Sequence, residues 1–275
     1  MDEKKSFFAS LEPKSALIVG LVAGVLLIGT VGFIIMLVMN LGQKAEAKNN
    51  GQAAAVQPAA QEQQPAAQVT KSDKPKVELF VMSYCPYGLQ MEKAYLPAWK
   101  LLGNKADISL KFVSYAMHGK KELDENTRQY CLAKNFNSKL IPYLECFTGK
   151  DDYSGCLQSV GVSEGQLASC VSATDKEFKI TAGFDDQSTW LSGQFPPYLV
   201  HESLNKQYGV GGSPTLVVNG AEVSASRSPE AVKQLICSSF NNPPAECNTT
   251  LSSAQASAGF GTAVGTEAAA ANCGP

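Results

Sequence analysis

From Ala16 to Met39 the chain runs 24 residues without a charged side chain, and this stretch divides what can fold from what cannot. As a helix it spans ~36 Å at about 1.5 Å per residue, enough to cross a ~30 Å hydrocarbon layer with some tilt. A cleaved leader would carry an apolar region of only ~7–15 residues followed by a small-residue cleavage site. The run therefore predicts a transmembrane signal anchor over 16–41, preceded by a short cytoplasmic tail, 1–15. Lys4, Lys5 and Lys14 precede the span, while Lys44 and Lys48 follow it, a slight positive-inside bias. Gly20 and Gly24 form a Gly-xxx-Gly pattern that would let two such helices pack closely.

Beyond the anchor, residues 42–75 hold nine Ala, seven Gln and three Pro and no aromatic residue. Such a segment buries too little apolar surface to offset its ordering entropy, so a disordered linker is expected, with a reach of roughly 32 Å as a flexible coil. Residues 248–275, with eight Ala and four Gly, lack apolar periodicity and read as a disordered tail. One domain, 76–247, is left between them.

All eight cysteines follow the span, and none lies in the first 84 residues. Cysteines that can pair suit an oxidising compartment, so the expectation is N-terminus inside and cysteine-bearing domain outside. A net charge of −2 offers no basic excess for nucleic acid. His118 and His201 are the two histidines, too few and too far apart for a zinc site built on several imidazoles. No metal, nucleotide or other organic cofactor is implied.

The domain opens with Lys76-Val77-Glu78-Leu79-Phe80-Val81-Met82-Ser83, β-branched and aromatic enough for a buried strand. Tyr84-Cys85-Pro86-Tyr87-Gly88 follows, then good helix formers from Leu89 to Leu96. Pro86 fits a first helical turn, where its missing N–H costs nothing. Cys85 thus falls where a strand hands over to a helix N-terminus, and there the dipole and free N–H groups favour a thiolate. Asp107 to Ala116 alternates as a second strand, and mixed helical stretches fill 121–193. Gly209 to Gly220 reads as loop, strand and Asn-Gly hairpin turn. Ser228-Pro229 caps a last helix over 229–239.

Strand, Cys-Pro-Tyr at a helix start, strand, helical insertion, Ser-Pro before a strand, hairpin and helix: this order resembles the thioredoxin superfamily, with a DsbA-like insertion. The resemblance implies an α/β thioredoxin-like fold in which Pro214 is the cis-proline beside Cys85. The run Ala116-Met117-His118-Gly119-Lys120-Lys121-Glu122 to Asn126 and Cys131 is similar to the signature of the gamma-interferon-inducible lysosomal thiol reductase family. His118, Gly119, Glu122, Asn126 and Cys131 fall in register; Ala116 and Leu123 stand where that family has cysteines. Cys146, Cys156 and Cys170 also echo its order.

Both families carry Cys-x-x-Cys, and here the fourth position is Gly88. The second cysteine normally releases the mixed disulfide, so Cys85 needs another resolving thiol. Cys131 is the internal candidate; a small thiol or a partner redox protein is the external one. Cys237 and Cys247 flank a loop rich in Pro and Asn that favours a turn, and are expected to form a structural staple. One pair is expected among Cys146, Cys156 and Cys170, with connectivity open. Trp99 and Trp190 are assigned to the core and His201 to the surface. The resulting expectation is a single-pass, extracytoplasmic thiol-disulfide oxidoreductase or isomerase acting on protein thiols and disulfides. Cys85 is its nucleophile, surrounded by Tyr84, Pro86, Tyr87, Gly88, Ser213 and Pro214. The alternative is a non-enzymatic module, tethered to the membrane, that binds peptides or a partner in the same groove.

Overall fold

A central strand with no solvent-facing side is the base of the domain. In the computed structural model, which describes residues 69–262, β1 (Lys76–Val81) buries every residue after Lys76. It pairs in parallel with β2 (Asp107–Phe112), Lys76 opposite Asp107 and Val81 opposite Phe112. On its other side it pairs antiparallel with β3 (Thr215–Val218), Leu79 opposite Leu216. β4 (Ala221–Val223) completes a sheet of order β2-β1-β3-β4. Asn219 and Gly220 join β3 to β4 with φ of 48° and 84°, the left-handed pair that a tight hairpin requires and that Asn-Gly adopts most readily.

Helix α1 (Pro86–Leu102) links β1 to β2 and buries Leu89, Tyr95, Leu96, Trp99 and Leu102. The insertion between β2 and β3 contains α2 (Lys120–Asn135), α3 (Asn137–Lys150), α4 (Tyr153–Ser159), α5 (Glu164–Phe178), α6 (Ile180–Asp185) and α7 (Glu202–Tyr208). α8 (Pro229–Ser238) starts with the Ser228 side chain accepting from the Ala231 N–H, and Pro229 opens its first turn. Among the described residues three disulfides brace this part of the domain: Cys131–Cys170, Cys146–Cys156 and Cys237–Cys247.

The anchor expected over 16–41, the tail at 1–15 and most of the linker lie outside the described residues. Among those described, no helix is long and apolar enough to cross a membrane. The end of the expected linker is ordered by the domain: the Ser72 N–H donates to the Ser239 carbonyl at 2.9 Å, and the Asn219 side-chain amide donates to the Thr70 carbonyl at 2.7 Å.

Residues 248–262 correct the expectation of a disordered tail from 248 onward. They form a strap held by hydrogen bonds to their backbone rather than by an apolar stripe. Gln90 donates to the Ala256 carbonyl at 2.7 Å, and Lys93 to the Gly259 carbonyl at 2.8 Å and the Ser257 hydroxyl at 2.9 Å. Lys233 reaches the Thr249 carbonyl at 2.6 Å. Phe260 packs edge-on against Tyr84 and Phe147. Residues 263–275 lie outside the described residues.

Two further expectations change. The second strand ends at Phe112 instead of Ala116, because its outer edge is taken by side chains. The Phe112 N–H donates to His201 Nδ1 at 3.1 Å, and the Ser114 N–H to Asn205 at 3.2 Å. His201 is therefore half-buried, stacked on Phe112, and not a free surface residue. Burial, with the Lys111 charge adding to it, pushes its pKa down to about 3. Trp99 is 9% exposed, whereas Trp190 is only half-buried and donates to the Gly183 carbonyl.

Candidate active site

Cys85 is the N-cap of α1, with extended φ and ψ of −67° and 122°. Its sulfur accepts from the Gly88 N–H at 3.4 Å, satisfying one of the donors that a helix start leaves unpaired. The thiol lies 3.5 Å from the Ser213 carbonyl. The Ser213–Pro214 peptide bond is cis. Only 7% of Cys85 is exposed. It lies over a small apolar cluster of Phe80, Met82, Val113 and Val217, bordered by Tyr115, Leu204, Tyr208 and Val210. The Tyr115 hydroxyl donates to the Gly211 carbonyl at 2.9 Å; burial first, then the Cys85 charge, pushes its phenol up.

The residues around the sulfur divide into an exposed face and a closed one. Tyr87 is 40% exposed, with the Arg227 guanidinium 5.0 Å from its ring centre. Tyr84 is half-buried, with the Lys121 ammonium 4.1 Å from its ring centre. Gly88 is buried against the loop that holds Ser213. A Cβ placed on Gly88 would meet Ser213 Oγ at 2.7 Å and the Met82 carbonyl at 3.1 Å. That hydroxyl is itself fixed, accepting from the Met82 N–H at 2.9 Å. Ser213 thus occupies the space into which the side chain of a second active-site cysteine would begin.

The structure brings Tyr84, Pro86, Tyr87, Gly88, Ser213 and Pro214 together around Cys85, but not Cys131 as a free thiol. Cys131 is fully buried and bonded to Cys170, so the expectation that it resolves Cys85 is corrected. With Cys170 so engaged, Cys146 pairs with Cys156. Cys237 is joined to Cys247. Cys85 is the one free cysteine among the described residues; Cys273 lies outside them. The Nδ1 of His118, a half-buried residue, lies 2.8 Å from the buried Glu122 carboxylate. Glu122 and Asn126 bond the turn before Cys85. They stand four residues apart in the sequence, the spacing of one helical face, and that was the available signal. Tyr115 carried no signal in the sequence.

A βαβ unit, an antiparallel hairpin, a closing helix, a helical insertion and a cis-proline against an N-capping cysteine define an α/β domain of thioredoxin-like architecture. Solved structures similar to it include oxidised DsbA of Mycobacterium tuberculosis, at 16% identity and TM-score 0.45, covering 66% of this chain and 93% of that one. The reduced disulfide bond oxidoreductase DsbG of the same organism has 16% identity and TM-score 0.42, covering 65% and 88%. Oxidised BdbD of Bacillus subtilis has 16% identity and TM-score 0.42, covering 63% and 92%. No protein-family model matches the chain, and no curated protein sequence matches it.

Proposed function

We propose that the protein is a thiol-disulfide oxidoreductase or isomerase, anchored in a membrane through residues 16–41, whose domain acts on protein disulfides outside the cytoplasm through the single nucleophile Cys85. One observation carries this reading. The one free cysteine among the described residues stands at a helix N-terminus, accepts a backbone N–H and abuts the carbonyl before a cis-proline. The Gly88 N–H thus points at the sulfur that would attack a substrate disulfide.

In the forward step the Cys85 thiolate attacks one sulfur of a substrate disulfide. A Cys85–substrate disulfide forms, the substrate bond breaks, and the leaving thiolate takes a proton from solvent. A second thiolate must then attack the mixed disulfide and release Cys85. If that thiolate belongs to the substrate, the net result is isomerisation. If instead two donor thiols act in turn, from small thiols or a partner redox protein, the first attacks the Cys85 sulfur and frees the substrate as a thiol. The second attacks the resulting donor–Cys85 disulfide and frees Cys85, and the two donor thiols leave joined as a disulfide; the net result is reduction of the substrate. The similarity of 116–131 to the lysosomal thiol reductase signature supports the same chemistry. Cys85→Ser is expected to abolish reduction and isomerisation of a scrambled-disulfide protein, with refolding yield as the measurement.

A binding module is the second reading, favoured by Gly88 and by the Ser213 hydroxyl that fills the second cysteine's place. It requires that Cys85→Ser retain partner capture and that the parent protein show no turnover.

A further inference from the structure

The turn that carries Cys85 takes its hydrogen-bond acceptors from a distant helix. The Ser83 N–H donates to Asn126 Oδ1 at 3.1 Å, and the Tyr84 N–H to Glu122 Oε1 at 3.0 Å. Glu122 is fully buried and accepts three further bonds. His118 Nδ1 lies 2.8 Å from Oε1, while the N–H groups of Met117 and His118 donate to Oε2 at 2.8 and 3.1 Å. Gly119, at φ +72°, makes the bend that folds 117 and 118 back over the first turn of α2. Further along α2, Cys131 is fixed to Cys170 on α5, so the helix bearing both acceptors is itself tethered.

Shape alone does not require this chemistry. An apolar pair would pack α2 against the turn without desolvating a carboxylate and an amide. What polar groups add is direction: each acceptor fixes where one N–H points, and each of those N–H groups lies within two residues of Cys85. We infer that Glu122 and Asn126, with His118 completing the carboxylate's partners, are positioning residues for the nucleophile. They hold Ser83 and Tyr84, and through them the Cys85 sulfur, in register with the Gly88 N–H and the Ser213 carbonyl. The inference rests on the reading of Cys85 as nucleophile, but its test reads the sulfur directly and needs no turnover.

The test compares Asn126→Leu, Asn126→Asp and His118→Ala in the full chain, measuring the rate of Cys85 alkylation by iodoacetamide at pH 7 together with the thermal midpoint. Leucine fills the site without an acceptor, so the Ser83 N–H is orphaned and the sulfur leaves its donor. Alkylation should slow about tenfold, within the range that small misplacements cost. Aspartate keeps an oxygen for Ser83 and should restore the rate to within about twofold, since the acceptor is what matters. His118→Ala, at a ring that reaches solvent, should slow alkylation severalfold and tests the same device if the leucine variant does not fold. A merely structural contact gives the opposite pattern: a lower midpoint with unchanged or faster alkylation, because a loosened turn exposes the sulfur. That result, or failure of aspartate to rescue, overturns the inference. A protein that follows the expected pattern yet reduces no disulfide would instead count against the oxidoreductase reading alone.

Discussion

At Gly88 a missing Cβ and a neighbouring hydroxyl account for each other. A side chain there can enter only if Ser213 Oγ turns away from the Met82 N–H, which it now accepts at 2.9 Å. Gly88→Cys should therefore cost about 1–3 kcal/mol in the reduced protein, the penalty of a buried donor left unpaired. Ser213→Ala should cost a similar amount by breaking the same bond. The double variant should cost less than their sum by about 1 kcal/mol or more, because the bond can be lost only once. Denaturant melts of the four proteins under reducing conditions measure this coupling, and strict additivity would show that the two positions do not share the space. If Cys85 is the nucleophile, the double variant should also turn over faster than the parent, since it gains a resolving thiol beside the mixed disulfide.

At the level of elements, the C-terminal strap and the disulfides do work that the helices cannot do alone. Lys93 is nearly buried and has both of its oxygen partners in the strap, and Phe260 covers Tyr84 and Phe147. Ending the chain at Asn248 should destabilise the domain by about 3 kcal/mol or more, from an uncompensated ammonium and a lost aromatic contact. The same truncation with Lys93→Met should recover part of the loss; thermal melts decide. Among the cross-links, Cys131–Cys170 closes the longest loop, with a sequence separation of 39 against 10 for each of the others. Loop entropy gives it about 4 kcal/mol, and the shorter two about 2.7 each. Replacing Cys131 and Cys170 together by Ala or Val should thus lower stability more than removing either short bridge.

For the molecule as a whole, the buried Glu92 and the half-buried His201 set opposing pH slopes. Glu92 on α1 is fully buried, and burial, then the Glu125 charge, push its pKa up to about 8. It stays protonated in the fold while the unfolded chain loses that proton near ~4.3, so stability falls as pH rises from there to about 8. His201 runs the other way: neutral in the fold down to about 3, it binds a proton in the unfolded chain near ~6.5, so its contribution falls as pH drops through that window. Above about pH 6.5 only the Glu92 slope remains of the two. Glu92→Gln should flatten the loss of stability between pH 6.5 and 8, measured by melting temperature across buffers; an unchanged slope would mean that the carboxyl is not held neutral. On the proposed topology, a membrane-impermeant thiol reagent should label the reduced domain on intact cells. Labelling only after lysis would place the domain on the inner side.

The residues from Lys76 to Gly88, the Asn219-Gly220 turn and the Ser228-Pro229 cap were legible in the sequence because their determinants are local. A β-branched run makes a strand, proline starts a helix, and Asn-Gly accepts positive φ. Local signals likewise put Cys85 at a strand–helix junction. The fate of the other thiols was not local: Cys131 was the internal candidate for a resolving thiol and is bonded to Cys170, because α2 and α5 meet only once the insertion has folded. The strap over α1 had no apolar periodicity to read, since its anchors are Gln90, Lys93 and Lys233 reaching its carbonyls. His201 was assigned to the surface because nothing in its own neighbourhood says that the edge of β2 lacks an acceptor. Chain-local preferences determined the first strand, the hairpin turn, the helix starts and the position of Cys85 at the head of α1. Partners far apart in sequence, which only close packing brings together, decided which cysteines pair, what draws His201 against the edge of β2 and what holds the turn before Cys85.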